Sequence, residues 1–315
     1  MIRNFKDYIV LALKGMGMGA ADVVPGVSGG TIAFITGIYE ELINSIKSIN
    51  LNAIKLFFTG KFGAFWKAIN GSFLISIFIG VGISIFSLAK GLEYLLNNYP
   101  ILVWSFFFWL IVASAIYVAR SIEKWDIGTI IAGITGIVVA YLITIITPAE
   151  ANTSYLFIFI SGSIAICAMI LPGISGSFIL VLLGMYKFIL QAVGDMNLAV
   201  LTTFLIGAAI GIIAFSNVLS WLLKKYHNLT IAVLAGFMVG SLNKVWPWKE
   251  ITKTIIDSHG MEKPISFRNI LPGTYEQISE NEAWLAGAIV CAFFGFALIF
   301  IVEGIGKKLQ NKPTN

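Results

Sequence analysis

Asp22, Ser28 and Thr31 are the polar members of an otherwise apolar run, Asp22-Val23-Val24-Pro25-Gly26-Val27-Ser28-Gly29-Gly30-Thr31. A carboxylate and two hydroxyls around a Pro-Gly break can hold an ion or pass a proton. Pro25 has no N–H and a fixed φ, so a helix running through it loses a backbone bond. Gly26, Gly29 and Gly30 accept unusual backbone angles and let other groups approach closely. Facing lipid, such a break leaves unpaired backbone groups. At membrane depth it survives only if buried in protein or beside a wet cavity. Residues 31–43 are helical in composition, so the following helix should point its N-terminus into that cavity. Free N–H groups and the positive dipole end attract an anion there.

The break recurs. Pro25-Gly26-Val27-Ser28-Gly29 returns as Pro172-Gly173-Ile174-Ser175-Gly176, and Ile32, Gly37 and Tyr39 match Ile179, Gly184 and Tyr186 at the same offset. One copy is as well explained by a tight turn between packed helices. Two copies, each between hydrophobic arms, are what a repeat-built transporter uses to place a polar site inside a membrane. The candidate substrate-binding residues are Pro25, Gly26, Ser28, Gly29, Gly30 and Thr31 in the first copy. In the second they are Pro172, Gly173, Ser175, Gly176 and Ser177. Ser28 and Ser175 can cap their own helices or donate to a ligand. Asp22 is the sharpest candidate for proton coupling, with a cap on a nearby helix end as the plainer alternative. Its counterpart is Met169, so the repeated fold does not require an acid at this place. Glu40 is a second coupling candidate, against the simpler reading of a solvated surface acid.

The elements that must position these residues are membrane elements. Hydrophobic residues make up 58% of the chain and charged residues 12%, about half the charge of a soluble domain. The fold class expected is an all-α polytopic membrane protein. The net charge of +5 is then read through loop asymmetry, not as a nucleic-acid footprint. Cys167 and Cys291 lie in apolar spans and read as small buried hydrophobes. The two histidines, His227 and His259, fall in loops, so neither a metal nor a cofactor is expected.

Two repeats are expected. The first, 1–147, holds a re-entrant hairpin 8–43, an amphipathic loop 44–70 and spans 71–89, 101–119 and 127–147. The second, 148–315, holds a hairpin 155–193 and spans 198–223, 229–245 and 284–303. The first hairpin's arms, about 14 residues or roughly 21 Å each, are too short for a ~30 Å hydrocarbon core. Gly15 and Gly19 give one arm a small-xxx-small face for close packing. Lys47, Lys55, Lys61 and Lys67 alternate with aromatic residues in 44–70, as in a helix lying on an anionic leaflet. The polar stretch 246–283, broken by Pro247, Pro264 and Pro272, joins the last two spans. With both termini in the cytoplasm, thirteen Lys and Arg fall inside against seven outside, which supports that orientation. Three spans per repeat is an odd number, so the second repeat enters from the opposite side and the copies are inverted.

The run Lys14-Gly15-Met16-Gly17-Met18-Gly19-Ala20-Ala21-Asp22 through Thr31, with Ile170-Leu171-Pro172-Gly173-Ile174-Ser175-Gly176-Ser177, resembles the bacterial polyprenyl-phosphate (undecaprenyl-phosphate) translocase family. The resemblance covers roughly residues 5–305. It implies a lipid flippase of the bacterial cytoplasmic membrane that returns this carrier lipid from the outer to the inner leaflet for cell-envelope precursors. The partners it implies are the polyprenyl-phosphate lipid and the bilayer; oligomeric state is left open. The residues alone also allow an ion-coupled transporter or channel for a small soluble anion. An intramembrane lipid phosphatase would want a His/Asp or Arg-rich cluster on an outer loop, and the long loop has one His and one Arg.

Overall fold

The computed structural model describes residues 3–24, 27–146, 148–149, 151–256, 262–279 and 281–310. Pro25 and Gly26 lie outside the described residues.

Helix α1 (Phe5–Val23) starts at a capping box. Asn4 Oδ1 accepts from the Asp7 N–H at 3.1 Å, and Asp7 Oδ2 accepts from the Asn4 N–H at 2.8 Å, satisfying two donors that a helix start leaves free. After the break come α2 (Gly29–Ile35) and α3 (Tyr39–Lys47). The continuous helix expected over 31–43 is therefore two short ones. Gly37 sits between them at φ +71°, the left-handed geometry that ends a helix and that side chains disfavour. The amphipathic stretch 44–70 forms α4 (Leu51–Phe58) and α5 (Phe62–Ala68). Leu51, Phe58 and Phe62 are exposed there, and Phe57 meets Phe58, Phe62 and Phe65 edge-on.

Three long apolar helices follow: α6 (Gly71–Asn98), α7 (Pro100–Ala119) and α8 (Ile127–Ile145). Helix α6 runs nine residues past the expected span end. Its 28 residues reach roughly 42 Å, because Lys90-Gly91-Leu92-Glu93 carries charge without a helix stop. Then come α9 (Tyr155–Ile170), α10 (Gly176–Leu182) and α11 (Tyr186–Gly194). Helices α10 and α11 are bent by 107° at Gly184, which has φ +71° like Gly37. Helices α12 (Leu198–Lys225) and α13 (His227–Val245) complete this half, and α15 (Leu285–Gln310) ends the helical set. Six of these helices are long and apolar enough to cross a membrane. Phe86 of α6, Ile130 of α8 and Phe293 of α15 are exposed, as suits a lipid-facing surface.

Several features recur along the chain. Helices α6 and α12 each have 28 residues. Each ends at a tyrosine of near-identical geometry, Tyr99 (φ −134°, ψ 49°) and Tyr226 (φ −130°, ψ 50°). The offset between counterparts drops from 147 residues at Gly37/Gly184 to 127 at Tyr99/Tyr226, because α4 and α5 are additional to the first half. Helix α1 packs on α6, and α9 on α12. Glycines permit both approaches. A Cβ at Gly15 or Gly19 would strike the backbone of Ile77 or Val81, and one at Gly207 the backbone of Phe159. Gly136 and Gly236 do the same for α8 against α13.

Residues 249–269, read from sequence as part of a polar connection, pair as antiparallel β1 (Lys249–Ile256) and β2 (Glu262–Asn269). Helix α14 (Pro272–Ser279) follows. Tryptophans at the base of the hairpin bond the segments that flank it. Trp246 Nε1 donates to the Ile270 carbonyl at 2.8 Å and Trp248 Nε1 to the Ala283 carbonyl at 3.0 Å.

Candidate functional site

The two breaks touch. Ser28, the N-cap of α2, accepts from the Gly30 N–H at 3.1 Å. Its own hydroxyl faces the Met169 and Leu171 carbonyls at 3.1 and 3.0 Å. Those carbonyls belong to the end of α9, where a helix leaves acceptors unfilled. In return, the Gly173 N–H donates to Thr31 Oγ1 at 3.1 Å. Ser28 and Thr31 are each 1% exposed, so these bonds lie between the halves and out of solvent. Gly30 is required by the contact, since a Cβ there would collide with the Ile170 carbonyl. Gly173 has φ +83° and lies against the backbone of Phe237 and Met238 in α13.

Asp22 closes the first break from within. Its Oδ1 accepts from the Gly29 N–H at 2.7 Å. The carboxylate thus sits at the C-terminal end of α1 and against the start of α2. It has no cation in salt-bridge range among the described residues. The amides of Gly29 and Gly30, read as free donors for an anion, are already bonded to Asp22 and Ser28 in this conformation.

The second break differs. Ser175 makes no cap bond; its hydroxyl pairs with that of Ser177 at 2.9 Å. Pro172, Gly173, Ser175 and Gly176 are buried and Ser177 half-buried. A narrow cleft opens beside Ser175, walled by Thr144 of α8 and by Ser241 and Lys244 of α13. Glu40 is not among these groups. It is exposed and faces His227 at 3.9 Å, while its neighbour Glu41 binds Arg3.

Sequence reasoning missed Lys244 and Lys249, which count there as loop charges. The ammonium of Lys244 lies 4.4 Å from the centre of the Phe178 ring. Lys249 donates to the Lys244 carbonyl at 2.6 Å and lies 4.6 Å from the Trp104 ring centre. The available signal was Lys244-Val245-Trp246-Pro247-Trp248-Lys249, two cations bracketing an aromatic pair that needs burial.

Six membrane-length helices among the described residues, with two hydrogen-bonded backbone breaks, define a polytopic membrane protein. The family model for undecaprenyl phosphate translocase-like proteins matches residues 18–263, and the chain belongs to that family. It is 46% identical over 303 residues to a protein of Vibrio cholerae serotype O1 named polyprenyl-phosphate transporter, covering 96% of this chain and 98% of that one. A Staphylococcus aureus protein of the same name is 35% identical over 253 residues, covering 75% and 85%. No solved structure matches the chain. The family and both relatives are named for transport, and this protein is a transporter, not an enzyme.

Proposed function

We propose that the protein carries polyprenyl phosphate across the bacterial cytoplasmic membrane, from the outer to the inner leaflet, so that the carrier is reused for envelope precursors. The two halves are inverted repeats with both termini in the cytoplasm, and they alternate access to the paired breaks. Only the phosphate needs a polar path; the isoprenoid tail stays in lipid. The residues from Ser28 to Thr31 and from Gly173 to Ser177 receive the headgroup, and opening the inter-half bonds frees their hydroxyls and amides to do so.

Asp22 couples a proton to this exchange. It is the acid bonded to the break itself, and a lone carboxylate at membrane depth is costly unless used. Glu40, exposed beside His227, would act as a proton relay at the cytoplasmic exit. The observation that carries the reading is the Ser28–Leu171 and Gly173–Thr31 contact, in a chain whose relatives bear the name polyprenyl-phosphate transporter.

The test is leaflet accessibility of undecaprenyl phosphate in proteoliposomes containing wild type, Asp22→Asn, Ser28→Ala or Ser175→Ala, with free phosphate as competitor. Asn keeps an oxygen for the Gly29 N–H, so D22N should fold and fail to couple. Flipping at the wild-type rate in all three variants removes these residues from the mechanism. Uptake of free phosphate in place of lipid movement would favour a soluble-anion transporter.

A further inference from the structure

Lys244 lines the cleft beside Ser175, and Lys249, outside that lining, lies next to Lys244. Lys244 reaches the cleft from the last turn of α13, and Lys249 follows at the start of β1. Both ammoniums lie about equally far from the Phe267 ring centre, 5.9 and 6.0 Å, so they occupy one neighbourhood. Among the described residues neither has a carboxylate in salt-bridge range. The adjacent acid, Glu250, is held by Arg268 at 2.9 and 2.6 Å.

Aromatic faces lie against both ammoniums, Phe178 and Phe267 at Lys244, Trp104 and Phe267 at Lys249, and Lys249 also donates to the Lys244 carbonyl. Such contacts offset only part of the cost of withdrawing an ammonium from water. Two like charges held together and half-buried are unfavourable unless something negative joins them. Burial, and then the neighbouring Lys244 charge, push Lys249 down to about 7.

We propose that Lys244 and Lys249 form a phosphate-binding subsite at the mouth of the second break, where a phosphate monoester headgroup is captured before it reaches Ser175. A monoester carries about −1.5 to −2 at neutral pH, which matches two ammoniums. Thr144, Ser175 and Ser241 are the hydroxyl residues that line the narrow cleft with Lys244. The subsite rests on the transport reading for the identity of the ligand, and in that reading it lies on the outer side, where the carrier is collected. The chemistry recognised is a phosphate monoester dianion, whether on a lipid or free.

The test uses the full chain in nanodiscs, with undecaprenyl phosphate, inorganic phosphate and undecaprenol as separate probes. Lys244→Met and Lys249→Met keep the alkyl packing and remove the charge. Each is expected to weaken undecaprenyl phosphate binding about tenfold or more, with undecaprenol unaffected. Without ligand, each should melt at or above the wild-type temperature, because an uncompensated charge has gone. Lys244→Arg and Lys249→Arg should keep more binding than the Met variants. Lysine-dependent binding of inorganic phosphate but not of undecaprenyl phosphate would keep the subsite and remove the lipid reading. Wild-type binding of undecaprenyl phosphate that both Met variants retain unchanged overturns the subsite alone. Binding of neither phosphate by wild type overturns both. A large fall in melting temperature with unchanged affinity would assign the lysines a structural role and overturn the proposal.

Discussion

The Gly173 N–H donates to the Thr31 hydroxyl at 3.1 Å across 142 residues of sequence, joining the two breaks by a buried hydrogen bond. Burial sets its value. In water the amide would find another acceptor; between the halves it has none. Thr31→Val keeps the shape and removes the acceptor. It should cost about 1–3 kcal/mol, the penalty for an unsatisfied buried donor. Thr31→Ser should stay near wild type. Thermal unfolding in detergent checks this, and equal melting of Val and Ser variants would show that the bond contributes nothing.

Gly30 tests the same contact by volume. A Cβ there meets the Ile170 carbonyl, which is backbone and cannot rotate aside. Gly30→Ala should force the halves apart and destabilise by about 1–3 kcal/mol, with loss of transport. Gly91→Ala in α6 is the control, since nothing lies within 4 Å of its added methyl. There the substitution should be neutral or gain up to about 1 kcal/mol through helix propensity. Similar stability for the two variants would contradict the packing argument.

These contacts also show where the sequence was legible. The breaks were readable because Pro, Gly and Ser change backbone chemistry locally, and the second copy removed the ambiguity of the first. Gly37 and Gly184 were visible as a matched pair, but hydrophobicity continues across both, so the helix stops at φ +71° were hidden by an unbroken apolar pattern. The bonds of Ser28 to Leu171 and of Thr31 to Gly173 were not readable. They depend on how two distant segments dock, which local pattern does not encode. Lys244 and Lys249 were misjudged for a related reason: charge counting assigns a side of the membrane, whereas their interest lies in burial without an acid. The β1–β2 hairpin was obscured by the prolines of 246–283. Pro264 sits within β2, opposite Thr254, a position a strand tolerates only where no ladder hydrogen bond is needed from it.

Arg3 clamps the start of the chain to α3. Its two terminal nitrogens donate to the two Glu41 oxygens at 2.7 and 2.5 Å, and Asn70 adds a bond at 2.8 Å. Burial pushes the Glu41 carboxyl up, but the bonds from Arg3 and Asn70 together outweigh it and leave the group below its ordinary value. A carboxyl depressed in the folded state contributes stability above its unfolded pKa, about 4.3, and loses it as pH falls through the folded value. Glu41→Gln should therefore cost about 0.5–1 kcal/mol at pH 7, since solvent screens this partly exposed pair. That gap should close as pH falls below about 4. A gap independent of pH would show that the pair acts through packing and not charge.

Lys249 makes the opposite pH argument. Burial first, and the Lys244 charge second, lower it to about 7, against about 10.4 in the unfolded chain. A lowered lysine opposes folding wherever the unfolded chain binds its proton and the folded one does not. The ligand-free protein should thus lose stability as pH falls from about 10 to 7, and the effect should level off below. The groups facing Lys249 are Lys244 from α13, Trp104 from α7 and Phe267 from β2. Close by on the strands, Glu250 and Arg268 neutralise each other. An anion reverses the preference, because it stabilises the charged ammonium. Phosphate binding should then take up a proton and tighten as pH falls from 9 to 7, by at most about tenfold per pH unit. Below about 6 the phosphate itself gains a proton and the gain should stop. Affinity measured from pH 6 to 9 should follow this course in wild type and flatten above pH 7 in Lys249→Met. A flat wild-type profile over that range would mean that Lys249 does not meet the phosphate.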